Sequence, residues 1–195
     1  MLSNLRLSSS RCHVGRLAFS RLMSSSGVQR NFPRDLEKSL NEHANKELAA
    51  SNMYLSMALK SDSMNLPGFY KYFKAQSEEE REHAVQFLTF INQCGGEAKL
   101  LDQAAPSLDT WSSVGDMATA ALQTEMEVSE SIKSCMDVAQ MQRRYGVTQF
   151  LSNFALNQIE EEDNAQTLCE QVVDYDHVRG LIHHLDKIIG KKAGK

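Results

Sequence analysis

Helix breakers are scarce in this chain. Its 195 residues include three prolines, Pro33, Pro67 and Pro106, and the long stretches between them carry few glycines. A proline inside a helix removes a backbone donor and costs about 3 kcal/mol, so stretches of this length without one point to an all-helical chain. Cysteine is scarce too. Cys12 lies near the N-terminus, and Cys94, Cys135 and Cys169 show no paired spacing. That pattern indicates neither a disulfide framework nor a zinc cluster, and leaves reduced core thiols. No uninterrupted apolar run approaches the ~20 residues that a membrane-spanning helix needs, so no membrane partner is expected. Hydrophobic residues make up 42% and charged residues 24%, proportions suited to one globular domain.

Acids are missing from the first 34 residues, where Arg6, Arg11, Arg16, Arg21, Arg30 and Arg34 stand with eight serines. An Arg-rich, Ser-rich, acid-free composition is that of a mitochondrial transit peptide. Residues 1–30 are therefore expected to be removed or disordered, and residues 31–195 to form the folded domain. The expected location is the mitochondrial matrix, with plastid or cytoplasm as alternatives, the last for a basic tail that stays attached. Loss of residues 1–23 deletes four arginines and takes the formal charge from −4 to −8. An acidic mature chain argues against nucleic acid as a partner.

Apolar residues at helical spacing mark four long segments and one short one. The first helix runs over about 35–60, with Asp35 as N-cap, and residues 61–68 form a short connection. The second ends near Cys94, where Gly95-Gly96 is a strong stop signal. Ser113 with Asp116 three residues on reads as a capping box that opens the third. Residues 143–146 make the next turn, and the fourth helix covers 147–175. Leu181, Leu185, Ile188 and Ile189 mark a short fifth helix. The first and third connections are short, so each joins antiparallel neighbours. The middle one has about 17 residues and spans up to ~55 Å, against ~40 Å for a helix of about 27 residues. It can travel the length of the bundle, which makes the second and third helices parallel. The expected fold is a four-helix bundle with one long crossover and a short C-terminal helix.

Polar residues interrupt the apolar stripes. Glu47 falls among Leu40, Ala44, Ser51 and Tyr54; Glu80 and His83 share a face with Phe73 and Phe87. Glu125 lines up with Ala121, Val128 and Ile132, whereas Glu127 and Glu130 point away. Gln158 and Glu161 sit among Phe154, Ala165 and Leu168. One such acid would read as a boundary residue that reaches for water. Four helices each contributing one is a different matter, because an unpartnered buried charge costs several kcal/mol. The stripes supply no lysine or arginine, so cations are the economical balance. Carboxylates, one imidazole and an amide suit iron or manganese rather than structural zinc. A Glu-x-x-His step on a bundle helix is a di-iron motif. Spacing agrees: Glu47 precedes Glu80 by 33 residues, and Glu125 precedes Gln158 by 33. Two helical hairpins with this shared period would meet in a pseudo-twofold site.

The segments Asn45-Lys46-Glu47-Leu48, Tyr54-Leu55-Ser56-Met57 and Glu78-Glu79-Glu80-Arg81-Glu82-His83-Ala84 resemble the first two helices of ferritins. Trp111 and Glu125 match as well, and the similarity covers about 31–190. The resemblance implies a ferritin-like bundle in a twenty-four-chain hollow shell that oxidises Fe(II) with dioxygen and stores ferric mineral. It assigns Glu47, Glu80 and His83 to a first iron. Glu80 bridges to a second iron held by Glu125, with Gln158 nearby and Tyr54 adjacent. Tyr54 could bond a ligand, donate an electron or simply pack. Because every position is filled, the resemblance is to the catalytic, heavy-type chain.

The fourth helix departs from the animal pattern. Gln158-Ile159-Glu160-Glu161-Glu162 is closer to bacterial ferritins, where acids beside the site bind a third iron. Glu79, Glu160 and Glu161 are the candidates here, although Asn157 stands where such chains often carry another acid. Gln149 and Ser152 occupy the places where animal ferritins line their threefold channels with carboxylates, so that iron route does not carry over. Two rivals remain. A bacterioferritin- or rubrerythrin-like oxidoreductase would carry a second Glu-x-x-His where Gln158-x-x-Glu161 stands. A shell-forming scaffold would lack the oxidation ligands.

Overall fold

The computed structural model describes residues 32–106, 108–176 and 180–192. The transit-peptide reading of residues 1–30 lies outside them. Five α-helices follow in order: α1 (Arg34–Ser63), α2 (Pro67–Gln93), α3 (Val114–Met141), α4 (Tyr145–Asp176) and α5 (Leu181–Lys192). A single 3-10 turn, Leu108–Thr110, interrupts the crossover, and no strand occurs among the described residues. The all-α bundle with a short fifth helix is therefore the observed fold.

Three helices end in the same way. Leu66 N–H reaches the Ser61 carbonyl, Gly96 reaches Ile91 and Arg144 reaches Ala139, at 3.0, 3.0 and 2.8 Å. The preceding residues, Asn65, Gly95 and Arg143, have φ of 58°, 85° and 53°. These are Schellman turns, which pair the last carbonyls of each helix and reverse the chain within a few residues. Glycine and asparagine adopt this backbone readily; Arg143 does so against a Cβ clash of about 1–2 kcal/mol.

Several boundaries differ from those the sequence suggests. Asp35 is not the cap of α1. Pro33 takes that place with an extended backbone and no side-chain bond, and Asp35 lies in the first turn beside Glu37, where acids favour the helix dipole. The first link is shorter than 61–68, because α1 continues to Ser63 and Pro67 is pre-shaped for the first turn of α2. Helix α4 starts at Tyr145, since the chain turns at Arg143. The expected capping box of α3 is present, with Ser113 and Asp116 exchanging bonds.

The crossover is laced to α1 by a polar ladder. Glu37 Oε2, Asn41 Oδ1 and Asn45 Oδ1 accept the N–H groups of Glu97, Lys99 and Leu101 at 3.0, 2.7 and 2.8 Å. The Asn41 and Asn45 amides return bonds to the carbonyls of Glu97 and Lys99. Four residues of helix rise ~6 Å and two residues of extended chain ~6.6 Å, so the two periods keep step. The crossover thus climbs parallel to α1. It ends where the Trp111 indole N–H bonds Ser56 Oγ at 3.0 Å near the far end of that helix. The third helix then descends parallel to the second.

Helix α5 closes the other side. Leu66 gives α2 no side-chain cap, and Asp186 supplies it from α5, accepting from Gly68 N–H at 2.7 Å and Phe69 N–H at 2.9 Å. A Cβ at Gly68 would stand 1.8 Å from the Asp186 carbonyl, so only glycine allows the approach.

Asn45 is buried, and replacing it by alanine strands the Lys99 carbonyl and the Leu101 N–H. Asn45→Ala is expected to destabilise the chain by about 1–3 kcal/mol. Denaturant titration would measure the loss, with faster amide exchange at Leu101 as its local sign.

Candidate metal centre

Two apolar layers leave a polar waist between them. One contains Met57, Phe69, Phe73, Met117, Leu168 and Leu185; the other contains Leu40, Phe87, Val128, Ile132, Leu151 and Phe154. Along each long helix the stretch between its contributions to the two layers carries the expected polar residues. Glu47 falls there on α1, Glu80 and His83 on α2, Glu125 on α3, and Gln158 and Glu161 on α4. Glu47, Glu80, Glu125 and Gln158 are at most 4% exposed. No lysine or arginine is buried among the described residues.

Glu47, Glu80 and His83 each present a ligand atom, and these lie within 4.8 Å of one another. Glu79, His83 and Glu161 form a second such triplet, with Glu79 exposed and Glu161 partly buried. The imidazole of His83 is common to both. Its Nδ1 lies 3.8 Å from Glu80 and its Nε2 3.8 Å from Glu161. Glu125 belongs to neither triplet and is held by neighbours. The Tyr54 hydroxyl donates to its Oε1, and the Gln158 amide donates to its Oε2 at 2.7 Å and to its carbonyl at 3.2 Å. Glu160 is exposed and joins neither triplet. Gln149 is exposed, and Ser152 bonds back to the Thr148 carbonyl.

Donors run out toward the centre. Glu47 Oε2 and both oxygens of Glu80 are buried with no hydrogen-bond partner. Burial consequently pushes Glu80 up to about 8, with the charge of Glu47 adding to it and His83 opposing. Burial, together with the charge of Glu80, raises Glu125 to about 7 despite the bonds from Tyr54 and Gln158. Burial also raises Glu47 and Glu161. For His83, burial works against the charge, but Glu80, Glu161 and Glu47 outweigh it and the imidazole is held protonated to higher pH. The cluster thus draws its balance from protons, whose place a bound cation would take.

Sequence reasoning passed over one residue. His43 lies four positions before Glu47, fully buried, with its Nε2 3.0 Å from Glu47 Oε1. Burial holds it down to about 3, so it is neutral. The spacing alone, one turn from a predicted ligand on the same stripe, was the available signal.

These shifts fix how metal-free stability depends on pH. Folded Glu80 and Glu125 retain protons that the unfolded chain has released above about pH 5, and folded His83 retains one that is lost near 6.5 when unfolded. Stability therefore falls as pH rises from 6.5 to 9. His43 acts in the opposite sense only below 6.5, where the unfolded imidazole charges. EDTA-treated protein is expected to melt on the order of 5 °C lower at pH 9 than at pH 6.5. Scanning calorimetry would show it, and saturating Co(II), by replacing the protons, would flatten the slope.

Comparison with known proteins agrees with this fold. The family model "Ferritin-like domain" matches residues 37–173. The chain is 41% identical over 112 residues to the soma ferritin of Lymnaea stagnalis, spanning 56% of this chain and 64% of that one. It is 32% identical over 162 residues to the ferritin heavy chain of Echinococcus granulosus, spanning 82% and 87%. Among solved structures, an iron-soaked variant of PmFTN superposes with a TM-score of 0.78 at 31% identity, covering 80% of this chain and 99% of that one. An open pore ferritin from Archaeoglobus fulgidus gives 0.79 at 26% identity, covering 82% and 98%. A helical bundle with one crossover, a waist of buried carboxylates and a match over most of its length together place this chain in the ferritin family.

Proposed function

We propose that the chain is a catalytic, heavy-type ferritin subunit that oxidises Fe(II) with dioxygen and stores the ferric product as mineral inside a twenty-four-chain shell. The observation that carries this reading is the set of buried carboxylate oxygens at Glu47 and Glu80 that no protein group satisfies. A scaffold without catalysis would have no reason to bury carboxyls that must either hold a proton or, once ionised, cost several kcal/mol each without a cation.

Fe(II) is the substrate. Glu47, Glu80 and His83 hold one ion, and Glu80 and Glu125 the second, with Tyr54 and Gln158 fixing the Glu125 carboxylate between two donors. Each Fe(II) gives up one electron, and the pair of electrons with two protons takes dioxygen to hydrogen peroxide. Hard anionic ligands favour the higher oxidation state of iron, and closeness of the two ions lets both electrons reach one oxygen molecule. Glu79, His83 and Glu161 supply the ligands of a third iron, and Glu160, exposed on the same helix, is the remaining candidate from the sequence. Glu161 in the place of a histidine disfavours the bacterioferritin-like alternative. Residues 1–30 act as a transit peptide that delivers residues 31–195 to the mitochondrial matrix.

Stopped-flow absorbance after mixing two Fe(II) per chain with aerobic protein tests the catalytic reading. Wild type is expected to form ferric species rapidly. A Glu80→Ala/His83→Ala double variant, with its shell intact by size-exclusion chromatography, should be slower by at least about 10–100-fold. Equal, buffer-like rates in both proteins would reduce the chain to a storage scaffold.

A further inference from the structure

His43 is built into the metal centre from three helices. It stands on α1 one turn before Glu47, which places both side chains on one face. Its ring is fully buried and meets Phe87 of α2 edge-on, with centroids 4.3 Å apart and planes at 64°. Its Nδ1 lies 2.9 Å from Ser131 Oγ of α3. Its Nε2 lies 3.0 Å from Glu47 Oε1, without a hydrogen bond formed between them.

The chemistry of these contacts selects one arrangement when a cation is bound. Glu47 is then ionised and only accepts. A neutral imidazole has one donor and one acceptor nitrogen. If Nδ1 carried the hydrogen, Nε2 and a carboxylate oxygen would stand 3.0 Å apart with no hydrogen between them. With the hydrogen on Nε2, the Ser131 hydroxyl donates to Nδ1, and a turn of the Glu47 carboxylate brings its Oε1 onto Nε2–H. Both contacts are then favourable, and the serine fixes the tautomer.

We infer that His43 is a positioning residue of the metal centre: anchored by Ser131, it donates from Nε2 to Oε1 of Glu47 and leaves Oε2 for the ion shared with Glu80 and His83. Ligating carboxylates that accept a bond from a fixed neighbour lose less freedom on binding, and such partners are commonly worth 10–100-fold in metal affinity. On the opposite side Glu125 has this support from Tyr54 and Gln158. His43 is the corresponding support for Glu47. The inference rests on the metal-site reading above.

The alternative is that His43 only fills space between α1, α2 and α3. Anaerobic titration of the full, assembled protein with Co(II), followed by its visible absorption bands, separates the two. His43→Leu keeps the volume and removes the donor; His43→Gln keeps a donor; Ser131→Ala leaves the ring in place and frees its tautomer. The tighter Co(II) site is expected to weaken by about 10–100-fold in His43→Leu and by a smaller factor in Ser131→Ala, and to recover in His43→Gln. Circular dichroism and size-exclusion chromatography check that each variant folds and assembles. If His43→Leu does not fold, the Ser131→Ala and His43→Gln pair carries the test. Affinity unchanged in His43→Leu, or in Ser131→Ala where that variant stands in, would overturn the inference, as would a His43→Gln affinity as poor as that of leucine. Failure of wild type itself to take up Co(II) would instead overturn the metal-site reading.

Discussion

The carboxyl group of Glu80 is 1% exposed, and neither of its oxygens receives a hydrogen bond. A buried charge left in that state costs several kcal/mol, against a net stability of ~5–15 kcal/mol for a typical domain. A flexible frame would relieve the cost by opening to water or by turning a donor inward. This one resists both. Apolar layers with fully buried Phe69, Phe73, Phe87 and Leu151 clamp the waist from either side. The ladder from Glu37, Asn41 and Asn45 fixes the crossover along α1. Asp186 pins α5 across the start of α2. Each device lies away from Glu80, and together they keep its environment from relaxing.

Against that rigid background the distribution of donors acquires meaning. Glu125 has both carboxylate oxygens bonded, by Tyr54 and Gln158. Glu47 has one oxygen close to an imidazole and one without any partner. Glu80 has none. Hydrogen bonds from neutral donors lower the demand for a proton or a cation, and the shifts follow that order, with Glu125 at about 7 and Glu80 at about 8. The carboxylate with least protein support is also the one whose charge acts on both Glu125 and Glu161, the acids of the second hairpin.

Much of this architecture was legible in the sequence because it rests on local rules. Uninterrupted helical periodicity, the Ser113–Asp116 box and the Gly95-Gly96 stop each depend on a few neighbouring residues. The position of Glu47, Glu80, Glu125 and Gln158 in the waist was legible from apolar stripes, since a stripe shows which side faces inward. What lies across the interior was not. Asn41 and Asn45 read as ordinary polar helix residues, and only the tertiary run of the crossover turns them into rungs. Asp186 caps a helix 118 residues away in sequence, a relation that no window of the chain contains. His43 shares the limitation: its partner Ser131 comes from α3, and helical spacing gave only its nearness to Glu47. For the same reason the acids beside the site looked equivalent, while the structure brings Glu79 to His83 and leaves Glu160 on the surface.

The two hairpins share a 33-residue period, yet they are not chemically equal. The first contributes Glu47, Glu80 and His83; the second contributes Glu125, Gln158 and Glu161. At the position of Glu80 the second hairpin has an amide, whose nitrogen is spent on Glu125 rather than left free. Each hairpin thus brings two carboxylates, but the oxygens without a partner lie on the first, and Glu125 of the second is the more firmly held. On the proposed function the two irons then occupy unequal positions, one richer in unsatisfied oxygen than the other. His83 extends the inequality outward. Because it belongs both to the buried triplet and to the one that reaches exposed Glu79, a cation passing between them would exchange carboxylates while keeping the same imidazole. A symmetric pair of Glu-x-x-His hairpins would place an imidazole on either side; here Glu161 stands at that step, and it joins His83 and exposed Glu79 in the outer triplet.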